Sequence, residues 1–217
     1  KFLLPRIISS FKKKKIKKNT AFLNFEVLVK GKNFSTYWFL NNYKIIGSFL
    51  PINQNETFNY LEIGSFEGLS SLFILSYWKN ANVTCVDTWE TSKDDSQFLD
   101  FNFQTVEKKF DTNLKDFSFR KIKSTSEIAF KQLKQRESFD YIYIDGSHNG
   151  IDIYNDALAS FNILKVGGII IFDDITNIYQ DIEMQPHDAF EKFYNLYKRK
   201  IKVLYLKNIA VIKKTNY

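Results

Sequence analysis

The sequence predicts an α/β fold: a doubly wound, mostly parallel seven-stranded sheet with a C-terminal antiparallel hairpin and an N-terminal helical cap. Three observations carry this expectation. First, Tyr60-Leu-Glu-Ile-Gly-Ser-Phe-Glu-Gly-Leu-Ser-Ser-Leu-Phe-Ile-Leu75 opens as a short apolar run fit for a buried strand and breaks at Gly64. It passes Gly68 and resumes with apolar residues at helical spacing (Leu69, Leu72, Phe73). Strand, glycine turn and helix in that order form the ligand-binding corner of a doubly wound sheet. Second, apolar runs alternate with amphipathic stretches from Tyr60 onward, the pattern of parallel strands joined by crossover helices. Third, Lys200–Leu206 and Asn208–Lys213 lie too close together for a parallel crossover and must pair antiparallel.

Each element can be justified in order. Residues 1–20 form a basic tail, and residues 21–217 form one domain, divided into a helical cap (21–55) and a sheet core (58–217). Within the cap, Ser35 or Thr36 is expected to cap a helix running to about Ile46. The cap aromatics are expected to be core residues packed over the glycine corner. After the first strand and helix, Asn82–Asp87 is the second strand, and Asp94–Lys109 a polar loop running into a helix. Phe117–Lys123 is the third strand, followed by a helix over 126–135 with Ser126 as its N-cap. Phe139–Asp145 is the fourth strand and 150–164 an amphipathic helix, which Lys165-Val-Gly-Gly168 is expected to terminate. Ile169–Phe172 is the fifth strand, running into Asp173 and Asp174, and Pro186 opens the last helix.

Composition narrows the class. With 217 residues and 44% hydrophobic content the chain can bury a full core. The net charge of +7 invites a nucleic-acid reading. Its location argues against it, because residues 1–18 hold eight Lys or Arg and no acid, leaving the remainder close to neutral. The tail is expected to contact an anionic surface or stay solvated. The single cysteine, Cys85, excludes an internal disulfide and fits a reducing, cytoplasmic compartment. No apolar run approaches the ~18–20 residues needed to span a bilayer. The first residue is Lys rather than Met, as expected where upstream residues have been removed or omitted.

The corner itself selects the ligand. A dinucleotide fingerprint reads G-x-G-x-x-G, whereas here the pattern is Glu62-x-Gly64-x-x-x-Gly68 with Phe at 66. That turn is less suited to a pyrophosphate, and a carboxylate beside the first glycine suits a ligand with positive charge. Asp87 ends the second strand about 20 residues past the glycines, where an acid meets a ribose. His148, three residues past Asp145, sits in a loop at a strand's carboxyl end, where open α/β sheets place their sites.

Together these motifs resemble the class I S-adenosylmethionine-dependent methyltransferases of the family-24 type. The resemblance rests on Glu62-Ile-Gly-Ser-Phe-Glu-Gly-Leu-Ser70, Val86-Asp-Thr-Trp89, Phe139-Asp-Tyr-Ile-Tyr-Ile-Asp-Gly-Ser-His148, Leu164-Lys-Val-Gly-Gly168 and Ile171-Phe-Asp-Asp174. It covers about residues 35–213 and implies a Rossmann-like core binding S-adenosyl-L-methionine. By this resemblance Glu62, Gly64, Ser65 and Gly68 line the methionine end of the cofactor. Asp87 accepts from the ribose hydroxyls, with Thr88 and Trp89 toward the adenine, and Ser124, Thr125 and Ser126 flank the adenine. Asp145 lies beside the methyl donor.

The candidate catalytic residues are His148, as general base, and Asp145; the alternative for His148 is a structural loop histidine. Asp145, Asp173 and Asp174 stand at adjacent strand tips and, by analogy with metal-dependent O-methyltransferases, would hold Mg²⁺ or another divalent cation. The alternative is that they contact the cofactor and cap a turn. The expected acceptor is a small-molecule or sugar (glycan) hydroxyl, met by the loops at 90–105 and 175–188. Nucleic-acid methylation and a catalytically silent binding module are the competing functions. A homodimer stays open.

Overall fold

The computed structural model describes residues 20–90, 101–133, 138–180 and 182–216. The basic tail before Thr20, and the start of the expected 94–109 segment, lie outside the described residues.

Seven strands form one sheet: β1 (Phe58–Ile63), β2 (Ala81–Asp87), β3 (Arg120–Lys123), β4 (Phe139–Ile144), β5 (Leu164–Phe172), β6 (Ile201–Leu206) and β7 (Ala210–Lys214). Their order is β3-β2-β1-β4-β5-β7-β6. The first five are parallel, and β7 enters antiparallel between β5 and β6. The chain therefore reverses its direction of winding between β1 and β4, and a crevice opens at that switch point.

The helices are α1 (Thr20–Lys30), α2 (Tyr43–Gly47), α3 (Leu69–Tyr77), α4 (Phe103–Leu114), α5 (Ser126–Gln132), α6 (Gly150–Ile163) and α7 (Pro186–Tyr197). They cover both faces of the sheet, and two apolar cores result. One, under α1, α3 and α4, is built around Phe25, Phe73, Phe110 and Tyr143. The other, under α5, α6 and α7, is built around Ile142, Phe161, Ile170 and Phe193. Strand alternation divides β1 between them: Tyr60 packs in the first core, and Leu61 and Ile63 in the second. α3 is buried along Leu69–Leu75, since α1 covers its outer side, with Phe25 on Phe73 at 5.0 Å.

Four local expectations change. The cap helix is not started by Ser35 or Thr36: a 3-10 turn runs over Trp38–Asn41, and α2 follows with no side-chain cap. Ser35 spends its hydroxyl on Glu67 instead (2.8 Å). The N-cap of α5 is Thr125, not Ser126, because Thr125 has the extended backbone of a cap and its hydroxyl accepts from the Ile128 amide. Lys165–Gly168 does not end a helix. α6 stops at Ile163, Leu164 is already extended, and the glycines lie inside β5. There Phe139 pairs with Leu164 and Tyr141 with Ile169, so β5 carries a bulge that Gly167, at φ +87°, accommodates. β3 keeps only Arg120–Lys123, an edge strand paired to Thr84–Asp87. No helix among the described residues is long and apolar enough to cross a membrane.

Candidate active site

The ends of β1 and β4 approach so closely that only glycine fits between them. A Cβ on Gly64 would sit 2.0 Å from the Asp145 carbonyl oxygen, and Gly64 itself has φ +86°. The ladder continues past the strand tips: Gly64 N donates to Val86 O (2.8 Å), Asp145 N to Ile63 O (2.9 Å) and Asp173 N to Ile144 O (3.0 Å). These bonds set the tips of β1, β2, β4 and β5 in one row around a cavity of about 350 Å³, within the ordinary range for a small-molecule site.

The floor of the cavity is the turn Gly64–Glu67, with Gly68 (φ +84°) as the left-handed start of α3. Phe66 is left-handed too (φ +45°), an unfavourable state for a residue with a side chain. Asp87 and Trp89 hold it there. The Asp87 carboxylate accepts from Phe66 N (2.8 Å) and Trp89 N (2.7 Å), and the Trp89 indole donates to Phe66 O (2.8 Å). Burial raises the Asp87 carboxyl above its ordinary value, offset by those amides. Trp89 is itself buried against Phe110, so its indole packs the loop from behind. Ser65 lines the cavity, with its hydroxyl buried beside Glu62 and Cys85.

Glu62 does not reach that wall. Alternation along β1 turns its side chain toward α3, where it is fully buried and accepts from Ser71 (2.5 Å), Ser70 (3.0 Å) and Tyr60 (3.3 Å). Burial pushes its carboxyl up to about 7, against the pull of the Ser71 and Ser70 hydroxyls. Asp87, Thr88, Trp89, Thr125 and Ser126 stand at the tips of β2 and β3 and are not among the lining residues either. Ser126 lies beside the buried Asp156 of α6 and lowers its carboxyl against the effect of burial.

The opposite wall carries the titratable side chains. Asp145, His148, Asp173 and Asp174 all line the cavity. Burial raises the Asp145 carboxyl well above its ordinary value, and the charges of Asp173 and Asp174 raise it further. Asp173 is pushed up to about 6, chiefly by burial. Asp174 adopts φ +50° and is fixed by two neighbours: its amide donates to Asp173 Oδ1 (2.9 Å), and Asn208 Nδ2 donates to its Oδ1 (3.0 Å). His148 Nε2 lies 3.9 Å from Asp174 Oδ2, too far for a hydrogen bond but close enough for charge stabilisation.

The three carboxylates expected to take a metal therefore share one cavity, but they are not arranged as a ligand set. Among the described residues no group of three His, Cys, Asp or Glu side chains is placed to hold an ion. The reason lies in their partners. The Asp173 carboxylate accepts from the Tyr143 hydroxyl, from Asn42 Nδ2 (3.1 Å) and from Asp174 N, which engages both of its oxygens.

Several lining residues were not foreseen. Glu67 is buried and accepts from Ser35 Oγ (2.8 Å) and Lys109 Nζ (3.0 Å). Asn113 of α4 donates to both Glu67 O and Asn33 O (3.1 Å each). This node ties the segment before the 3-10 turn to the glycine corner and sets Phe34, Thr36 and Trp38 as the front wall. Trp38 is half exposed and stacks on Phe66, so one cap aromatic belongs to the site and not to the core. The one sequence signal was an acid between two glycines, at Glu67.

Several solved structures share this fold. MycE from the mycinamycin biosynthetic pathway, solved with Mg, SAH and mycinamycin VI, is similar with a TM-score of 0.60 at 16% identity. The match covers 92% of this chain and 56% of that one. A Corynebacterium glutamicum protein is similar with a TM-score of 0.54 at 16% identity, covering 93% of this chain and 92% of that one. Aeropyrum pernix fibrillarin, with natively bound S-adenosyl-L-methionine, is similar with a TM-score of 0.52 at 14% identity, covering 77% and 71%. These likenesses show a shared class I methyltransferase fold. In sequence, the uncharacterized protein R132 of Acanthamoeba polyphaga mimivirus is 27% identical over 134 residues, 61% of this chain and 57% of that protein. The chain thus spans little more than half the length of this curated relative. A family model described as a methyltransferase domain (Methyltransf_24) matches residues 61–175, just over half of the chain. The chain belongs to that methyltransferase family.

Proposed function

We propose that the cavity binds S-adenosyl-L-methionine and that the protein methylates a hydroxyl of a neutral small molecule or sugar. One observation carries the reading: the glycine corner shares a single acid-lined cavity with His148 and Asp174.

The residues present fit the cofactor. Gly64 leaves room that a Cβ would fill, and Asp145 offers a carboxyl whose ionised form, disfavoured by burial and by its acidic neighbours, a cationic ligand would restore. Gly64, Ser65, Gly68 and Asp145 would hold the methionine end, and Asp87 the ribose. Thr88, Trp89, Thr125 and Ser126 would stand on the adenine side. Glu62 acts from beneath, by fixing α3 to β1. When bound, the cofactor supplies an electrophilic methyl on a sulfonium leaving group, so the protein's share is positioning and electrostatics.

The chain's own residues supply the rest. The four carboxylates on the wall, Glu67, Asp145, Asp173 and Asp174, favour a cationic ligand. His148 takes the proton from the acceptor hydroxyl, and Asp174, 3.9 Å away, stabilises the imidazolium that forms. No step is routed through a metal ion, because Asp145, Asp173 and Asp174 do not form a ligand set as they stand.

A nucleic-acid acceptor is the weaker reading. Fibrillarin shares the fold, but among the described residues no Lys or Arg lines the cavity, and a phosphate would face four carboxylates. The test is release of S-adenosylhomocysteine across a panel of polyols, free sugars, phenols and RNA. Release with a neutral hydroxyl compound, reduced about 10²–10⁴-fold by His148→Ala, is the expected result. Release with RNA alone would overturn the acceptor class, and full activity of His148→Ala would remove it as base. EDTA is expected to leave the rate unchanged; a loss restored by Mg²⁺ would mean that the carboxylates regroup around an ion.

A further inference from the structure

The loop after β5 returns to His148 and clasps it. The Tyr179 ring stacks on the imidazole with centroids 4.6 Å apart and planes 10° from parallel. Its neighbour Ile178 points out to solvent, so the tyrosine is the residue turned inward. Gln185 holds that tyrosine by its main chain: Tyr179 N donates to Gln185 Oε1 (3.0 Å), and Gln185 Nε2 donates to Tyr179 O (2.8 Å). Asn177 Nδ2 donates to the Tyr179 hydroxyl (3.3 Å).

The identity of residue 185 is itself informative. It occupies the N-cap of α7, where Ser, Thr, Asp or Asn would be favoured, and its side chain makes no cap bond. A capping position that forgoes its cap has a local rule broken, which is where function is to be sought. Here the amide is committed to Tyr179.

A second link closes the loop on the helix that follows His148. Gly150 N donates to Met184 O (2.7 Å), and a Cβ on Gly150 would meet Met184 O at 2.5 Å and Gln185 O at 2.6 Å. The His148 turn and the start of α7 are thus joined twice, by backbone at Gly150 and by a ring stack at Tyr179.

We propose that Tyr179 and Gln185 are positioning residues that set the plane of the His148 imidazole against Asp174. The proposal rests on His148 being the base. A planar neighbour fixes ring orientation by its face and takes neither ring nitrogen for itself. Support of this kind around a reacting side chain decides whether the site is held closely enough to work.

Two histidines make the test direct. In the His187→Gln protein, one imidazole remains, and its carbon-bound protons report the ring above it through their NMR shifts. The expected spectrum shows them upfield of free imidazole. They stay upfield in Tyr179→Phe, which keeps the ring, and move toward the free value in Tyr179→Leu and in Gln185→Leu. Backbone amide dispersion in the same spectra identifies any variant that fails to fold, and Gln185→Leu then stands in for Tyr179→Leu. An unchanged imidazole shift in folded Tyr179→Leu would overturn the stack, and an unchanged shift in Gln185→Leu would overturn the clamp. Turnover of these variants, measured with the panel acceptor, separates the two claims. Activity lost in His148→Ala but undiminished in a Tyr179→Leu protein whose shift has moved would overturn positioning and leave the base in place. Undiminished activity in His148→Ala would remove the base, and this proposal with it.

Discussion

Two groups of buried acids stand at the ends of neighbouring strands, and they meet opposite fates. Glu62 on β1 is sealed under α3, with three hydroxyls donating to it. Asp145, Asp173 and Asp174, past the tips of β4 and β5, crowd together and line the cavity. Both groups have carboxyls raised by burial. Only the second adds mutual repulsion, which a cationic ligand would relieve. The contrast separates an acid enclosed by the fold from acids that face a cavity.

Four changes break or sharpen this contrast, in falling order of effect. Gly64→Ala forces a Cβ to 2.0 Å from Asp145 O at φ +86°. A clash with main chain cannot relax cheaply, so a loss of more than ~3 kcal/mol or outright failure to fold is expected; a near-normal melting temperature would show that the tips of β1 and β4 can part. Asp145→Asn is expected to keep the fold and to remove a carboxyl that a cationic ligand would draw into its ionised form. Cofactor affinity is expected to fall by about tenfold or more, on the order of 1–3 kcal/mol.

Asp87→Ala frees the Phe66 and Trp89 amides and leaves a ribose unpaired. We expect cofactor affinity to weaken by about 1–3 kcal/mol, and unchanged affinity would remove Asp87 from the site. The smallest effect is a pH slope. Glu62 has its carboxyl raised from 4.5 to about 7, so the folded chain keeps its proton to higher pH than the unfolded chain does. Its contribution is complete below pH 4.5 and is lost as pH rises through about 7. Asp156, raised by burial to about 7 as well, acts in the same direction. Denaturation midpoints should therefore fall between pH 4.5 and about 7 in wild type and level off above, and fall less in Glu62→Gln, which has no acid at that position to ionise. A slope of unchanged size in the variant would place the titration elsewhere.

How much was legible follows the distance between partners. The β1–Gly64–α3 corner and the Asp-ended strand β4 could be read because strand, turn and helix are contiguous, with period and glycine placement in one window. The closing hairpin followed from a gap too short for a crossover. What stayed hidden depends on contacts far apart in the chain: Ser35 with Glu67, Asn208 with Asp174, Asn42 with Asp173. Ser35 looked like a helix cap because its neighbours suit one, and its hydroxyl went to a carboxylate 32 residues away. Ser126 lost the cap of α5 to Thr125, one residue earlier, within the ordinary error of element boundaries. The glycines at 167 and 168 read as a helix end, and only strand pairing reveals the bulge. Glu62 carried the right residue type for the wrong face, since the direction of a strand side chain depends on which core lies on which side.

The most direct test of the account is calorimetric titration of S-adenosyl-L-methionine into the wild-type protein and into Asp145→Asn. Micromolar binding by wild type, weakened about tenfold or more in the variant, is the predicted result. Absence of binding by the folded wild-type protein would contradict the account and leave the methyltransferase fold as a scaffold without its reaction.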